Sequence, residues 1–253
     1  MTKRFFSRKR SNQGKKAKLS FSKRVLAVVN KQRELKVAKI SGELAIQGDI
    51  TGNQLLQVMP PVPQAGNVGG SSGIAQEFYR DGNSITLKKI VMRGWITQKV
   101  PADGSQTRYV VRHMILRQRS ADSQEVLEAA GNRFENGQLL ENAIPFTGNI
   151  PSLQTPVNKS AFVARMDKRH YLSSPTINQA QLDIDADQTN NFKMVQKTLT
   201  FGKGKKLHFG TGSSPDAQNF PYFMTLGAAT VDGVPASSGL GFNYTCTAYF
   251  FDS

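Results

Sequence analysis

The stretch FNYTCTAYFF, residues 242–251, alternates without interruption. Tyr244, Cys246, Ala248 and Phe250 fall on one side, and Asn243, Thr245, Thr247 and Tyr249 on the other. A period of two is that of an antiparallel strand with one face in a core and one towards water. Working outward, SITLKKIVMRGWITQK (84–99) and RYVVRHMILRQR (108–119) are long and rich in β-branched residues. TLTFGKGKKLHF (198–209) and YFMTLGAATV (222–231) repeat the pattern, and further strands are expected within 39–48 and 161–172. VPADGSQT (100–107) carries an Asp-Gly turn signal, so the strands on either side of it are expected to be neighbours. Many strands separated by Gly, Ser and Pro clusters predict an all-β fold, a single antiparallel sandwich.

Helix signals are few. DSQEVLEAAG has Asp122 three residues before Glu125, the spacing of a capping box, and Gly131 at the position of a C-terminal cap. A short helix is expected at 22–35, with Leu26 and Val29 on one side, too short to be stable alone. Two long loops low in apolar content, 60–76 and 136–160, are expected to form outer surface or subunit contacts.

Charge is distributed very unevenly. Residues 1–36 hold 13 Lys+Arg against one acid, Glu34, for a net +12 of the chain's +15. Residues 37–253 are therefore close to neutral, at +3. A like-charged segment with little to bury repels itself and stays disordered until it meets a polyanion. The chain is thus expected to divide into a basic arm, 1–36, and a β domain, 37–253. The partner implied is nucleic acid, ahead of an anionic membrane. Candidate phosphate-binding residues are Lys3, Arg4, Arg8, Lys9, Arg10, Lys15, Lys16, Lys18, Lys23 and Arg24. Flexible Lys and Arg side chains find phosphates rather than base edges, so binding without sequence preference is expected. Phe5, Phe6 and Phe21 either stack on unpaired bases or dock on the β domain.

Arg8, Lys9 and Arg10, with Lys15, Lys16 and Lys18, form two clusters that also fit a nuclear-localisation signal. A mitochondrial presequence is the rival reading of this arm, but its charges are clustered and lack amphipathic spacing. No apolar run approaches the roughly 20 residues of a membrane-spanning helix. The single cysteine, Cys246, rules out an internal disulfide framework and any multi-cysteine zinc site.

No catalytic set emerges from spacing. His113, His170 and His208 each sit in a basic stretch, without a histidine at helical spacing or an obvious carboxylate partner. They read as strand histidines on a polar or interface face. GKGKK (202–206) lacks the spacer and the hydroxyl residue of a phosphate loop, and two glycines between strand segments mark a turn or bulge. Asp183, Asp185 and Asp187 alternate, so an extended chain puts their carboxylates on one side. That leaves two readings, a solvated acidic loop or a calcium site at a subunit contact. No other cofactor is expected. Lys88, Lys89, Arg93, Arg112, Arg117 and Arg119 fall on two strands expected to be adjacent, as a solvated face or an inner nucleic-acid surface.

These residues carry a family resemblance. LAIQGDITGNQ (44–54) through RDGNSITLKKIVMRGWI (80–96), with SQEVLEAA (123–130) downstream, is similar to the coat protein of satellite tobacco necrosis virus. FVARMDKRHYLSS (162–174), TFGKGKKLHF (200–209) and the ending TCTAYFFDS (245–253) resemble coat proteins of small circular single-stranded DNA viruses, geminivirus-like and Rep-encoding. The resemblance implies an eight-stranded jelly roll, roughly sixty copies in a T=1 shell, and an arm that binds the packaged genome. It favours DNA over RNA, a virion location, assembly in the host nucleus, and unidentified import and cell-surface receptors as partners. Two departures stand out. The cysteine and histidine set proposed to bind zinc in geminivirus coats is not matched, and the arm carries 8 Lys to 5 Arg where circovirus arms are dominated by arginine. The other readings of the same features are a cellular nucleic-acid-binding β-barrel, ribosomal or chromatin-like, and a satellite-type RNA virus coat.

Overall fold

The computed structural model describes residues 34–51, 54–65, 78–98, 108–119, 136–173, 191–211, 214–233 and 239–252. The chain divides at Glu34/Leu35, and the unit that begins at Leu35 is an antiparallel β-sandwich. Its strands are β1 (Lys36–Ala45), β2 (Leu56–Gln57), β3 (Ser84–Gln98), β4 (Arg108–Gln118), β5 (Phe162–Ser173), β6 (Phe192–His208), β7 (Tyr222–Thr230) and β8 (Leu240–Asp252). One sheet, here sheet A, has the order β1-β8-β3-β6; sheet B has the order β2-β7-β4-β5. Apart from β4 and β5, consecutive strands lie in different sheets. Pairing joins β1 with β8, β2 with β7, β3 with β6 and β4 with β5, all antiparallel. Among the described residues, the first four strands thus pair in reverse order with the last four.

The alternation in β8 is realised. Phe242, Tyr244, Cys246, Ala248 and Phe250 point into the core between the sheets, where they meet Ile90, Met92 and Ile96 of β3 and Val111, Ile115 and Met224 of sheet B. Cys246 is a free, buried thiol, and burial pushes its pKa up to about 12, so it stays neutral and unreactive.

The expected hairpin between 84–99 and 108–119 does not form: β3 belongs to sheet A and β4 to sheet B. An Asp-Gly pair signals a local turn, but it does not decide whether the chain returns in the same sheet or crosses to the other. The basic residues assigned to adjacent strands are accordingly split. Lys88, Lys89 and Arg93 lie on β3 in sheet A, whereas Arg112 and Arg117 lie on β4 in sheet B, with Arg119 just beyond its end.

Segment 136–160 also departs from expectation. Leu139, Leu140, Phe146, Leu153 and Val157 are buried in a second cluster with Val110, Met114, Leu116, Phe223 and Ala229 from the outward side of sheet B. The segment is a cover, not an outer loop. It explains why β7 is buried at eight successive positions, since both faces of that strand are packed. A close approach makes this possible: a Cβ on Gly227 would lie 2.2 Å from the Phe146 ring, so only glycine leaves room for that ring. A five-residue helix, α1 (Ile150–Gln154), starts at Asn149, whose side chain caps the Ser152 amide.

GKGKK forms a bulge. Leu87 pairs with Lys205 and Lys89 with Thr200, so residues 201–204 face Lys88 alone. Gly202 and Gly204 take φ of 57° and 113°, conformations that a side chain would strain. Lys88 Nζ donates to the Lys203 carbonyl at 2.9 Å and fastens the bulge to β3.

Candidate nucleic-acid interface

The ten arm residues singled out, Lys3 through Arg24, lie outside the described residues, as do Asp183, Asp185 and Asp187 and the helices expected at 22–35 and 122–131, save for Glu34 and Leu35. Among the described residues, no group of three His, Cys, Asp or Glu side chains is placed to hold a metal ion. No helix among them is long and apolar enough to cross a membrane.

The arm joins the sandwich at β1, whose first residue is Lys36. Lys36 is 6 % exposed and pairs with Asp81 at 3.0 Å and Asp252 at 2.5 Å. Burial disfavours its charge, but the two carboxylates outweigh that cost and raise its pKa. This lysine, counted with the arm from sequence, ties the start of β1 to the end of β8.

Arg80 and Arg112 are fully buried and hold loops to the sheets. Arg80 donates to the carbonyls of Val62, Gly82, Thr211 and Ser214 and lies 4.3 Å over the Phe209 ring. Arg112 makes a bidentate pair with Asp167, at 2.9 and 2.7 Å, and its third nitrogen donates to the carbonyls of Ser152 and Thr155. Both guanidinium groups are structural, so Arg112 leaves the set of residues considered for nucleic acid.

Sheet B is covered by segment 136–160, so the outward face of sheet A is the more open broad surface among the described residues. Register places Trp95 of β3 between Asn243 of β8 and Met194 of β6. Trp95 is 45 % exposed, Met194 68 % and Phe192 39 %, and the Trp95 and Phe192 rings lie 5.3 Å apart. A shallow depression of about 550 Å³ lies beside them, lined in part by Arg93, Trp95 and Met194. Farther along this face, Lys89 Nζ sits 4.5 Å from the Tyr249 ring centroid and Lys88 Nζ 5.2 Å from that of Phe251. Cations alternating with aromatic rings suit a polyanion that also has bases to stack.

Two of the three histidines are not where sequence put them, whereas His208 is exposed at the end of β6 as expected. His113 is fully buried between the sheets, its ring 5.2 Å from that of Phe242. Neither of its ring nitrogens has a hydrogen-bond partner. Burial, then the charges of His170 and Lys168, push its pKa down to about 3, so it is a neutral core residue. His170 is 9 % exposed, lies 5.9 Å from His113, and leaves its Nε2 without a partner. Its pKa is lowered by burial and then by Lys168 and Lys193. No sequence signal separated these two histidines from surface ones, because in a strand the neighbours that bury a ring come from other strands.

Comparison with known proteins adds no name to this geometry: no family model matches the chain, and no match was found among curated proteins.

Proposed function

We propose that this chain is a capsid protein that self-assembles through a jelly-roll sandwich and packages a single-stranded genome with its basic arm. The observation that carries the reading is the strand order, β1-β8-β3-β6 against β2-β7-β4-β5, combined with a net charge concentrated before the first strand. A hairpin rolled on itself into two four-stranded sheets is the plan of double-sheet jelly rolls, a fold used for viral shells. Such a fold tiles when broad faces and loops meet neighbouring copies, and a near-neutral sandwich lets copies approach without strong repulsion. The arm then supplies the cations that offset phosphate self-repulsion as a strand is condensed.

Two four-stranded sheets support this reading over a closed nucleic-acid-binding barrel. The assignment of circular DNA rather than RNA rests on the resemblance of the C-terminal segments. The experiment is size-exclusion chromatography of the full chain with electron microscopy of the leading fraction. The expected result is elution as hollow particles of uniform size, with single-stranded DNA in particles recovered from infected cells. Elution as a monomer under all assembly conditions contradicts the proposal.

Nuclear assembly adds a second expectation. A reporter fused to residues 1–24 accumulates in nuclei if the clusters at Arg8–Arg10 and Lys15–Lys18 are read by an import receptor. Diffuse cytoplasmic fluorescence, unchanged when those clusters are replaced by alanine, counts against it.

A further inference from the structure

At the edge of the sandwich where β5 ends sheet B and β6 ends sheet A, several inward-facing positions hold lysine in place of apolar residues, Lys168 and Lys193 among them. Directly opposed residues of an antiparallel pair share a face. Lys168 is opposite His113, which points into the core. Lys193 is opposite Ile96, which does the same. The two lysines therefore approach one opening from opposite sheets. They line a cleft of about 370 Å³ together with Arg169, His170 and Met194, and among the described residues no Asp or Glu lines it. Nearby Asp167 is engaged by Arg112, and Arg169 Nε donates to the Leu153 carbonyl. The unpartnered Nε2 of His170 belongs to a side chain in the wall of this cleft.

Lys168 and Lys193 are both exposed at the mouth of this cleft, and beside the unpartnered Nε2 of His170 they offer two ammonium groups to an anion that enters it. The pKa of His170 is lowered first by burial and then by the charges of Lys168 and Lys193, which sets both ammonium groups near this ring. Met194 lines both this cleft and the depression on the outward face of sheet A, where the exposed Trp95 and Phe192 rings lie. A cationic cleft and a flat apolar surface are thus offered on the two sides of a single edge strand.

We propose that the β5/β6 edge is a nucleotide site, in which Lys168 and Lys193 take the phosphate and the Trp95–Phe192 pair takes the base. The ligand class is a nucleoside monophosphate unit, free or within a single strand. This inference concerns the sandwich alone and does not rest on shell assembly or on the arm.

Trp95 is the chain's only tryptophan, so its emission reports this edge directly. Full-length protein is titrated with thymidine monophosphate, thymidine and inorganic phosphate at constant ionic strength, with excitation restricted to tryptophan. Saturable quenching by the monophosphate is expected, with half-saturation at least tenfold higher for the double variant K168A/K193A and near the native value for K168R/K193R. Thymidine without phosphate should bind at least tenfold more weakly, and inorganic phosphate should displace the monophosphate only at a tenfold or greater excess. Absence of saturable quenching, or quenching indifferent to K168A/K193A, overturns the proposal. So does failure of K168R/K193R to restore binding, which would mean that the alanines acted through structure. Displacement by phosphate at equal concentration removes the base from the assignment and overturns the nucleotide reading.

Discussion

A chain lacking residues 1–34 is expected to lose about three orders of magnitude or more in affinity for single-stranded oligonucleotides at low salt. Those residues carry 12 Lys+Arg and one acid, whereas residues 35–253 hold 21 Lys+Arg against 17 Asp+Glu. Each phosphate contacted on a single strand steepens the log–log salt dependence by about −0.7, so about ten contacts give a slope near −7. Between 50 and 200 mM salt, a slope of that size costs about four decades of affinity. The truncated sandwich, left with only dispersed cations, is expected to show a slope shallower than about −2. Fluorescence anisotropy with a labelled oligonucleotide, repeated across salt concentrations, measures both quantities. Equal slopes for the full and truncated chains would place binding in the sandwich and remove the arm's role.

The second large effect concerns stability. Replacing Arg112 by alanine removes a fully buried guanidinium that satisfies Asp167 and two carbonyls around α1. Breaking one side of a buried pair costs about 3–5 kcal/mol. The Asp167 side chain is 24 % exposed, so water recovers part of its solvation and the lower end, about 3 kcal/mol, is expected. For a domain of this size that corresponds to a fall in Tm of about 6–12 °C. Lysine should recover little, since an ammonium does not reproduce a planar bidentate fork together with two carbonyl bonds. Thermal unfolding followed by circular dichroism checks it; a change below about 2 °C would mean that α1 and segment 136–160 are held by apolar packing alone.

Much of the β framework was legible because strands with one buried face write their period into the sequence. β3, β4, β5, β7 and β8 begin and end within two residues of the stretches that alternation or β-branched content marks out. β2, at Leu56–Gln57, is too short to show a period. β6 begins at Phe192, six residues before the recognised segment, because it is an edge strand in which Leu199 and Leu207 are the only fully buried positions. Segment 136–160 was misread because its apolar residues are spaced irregularly among Asn, Gly and Pro, a pattern that a covering segment shares with a solvent-exposed loop. Sheet membership was not legible: it depends on how strands distant in sequence pair, to which local turn chemistry is blind.

The site divides in the same way. Charge segregation at the N-terminus is a one-dimensional property and was plain from the sequence. The β5/β6 cleft is not, since Lys168 and Lys193 come together only when two different sheets present their edges on one side. A signal did exist in retrospect: Lys168 sits between Met166 and His170 on the buried parity of β5, where an apolar residue is the ordinary choice.

The mass of the purified full-length chain in solution, measured by mass photometry at near-physiological salt with and without single-stranded DNA, tests the central claim most directly. The account predicts a single species of about 1.7 MDa of protein, roughly sixty copies of a 27.8 kDa chain, formed more readily when the nucleic acid is present. A population that stays at 27.8 kDa in both conditions would contradict it.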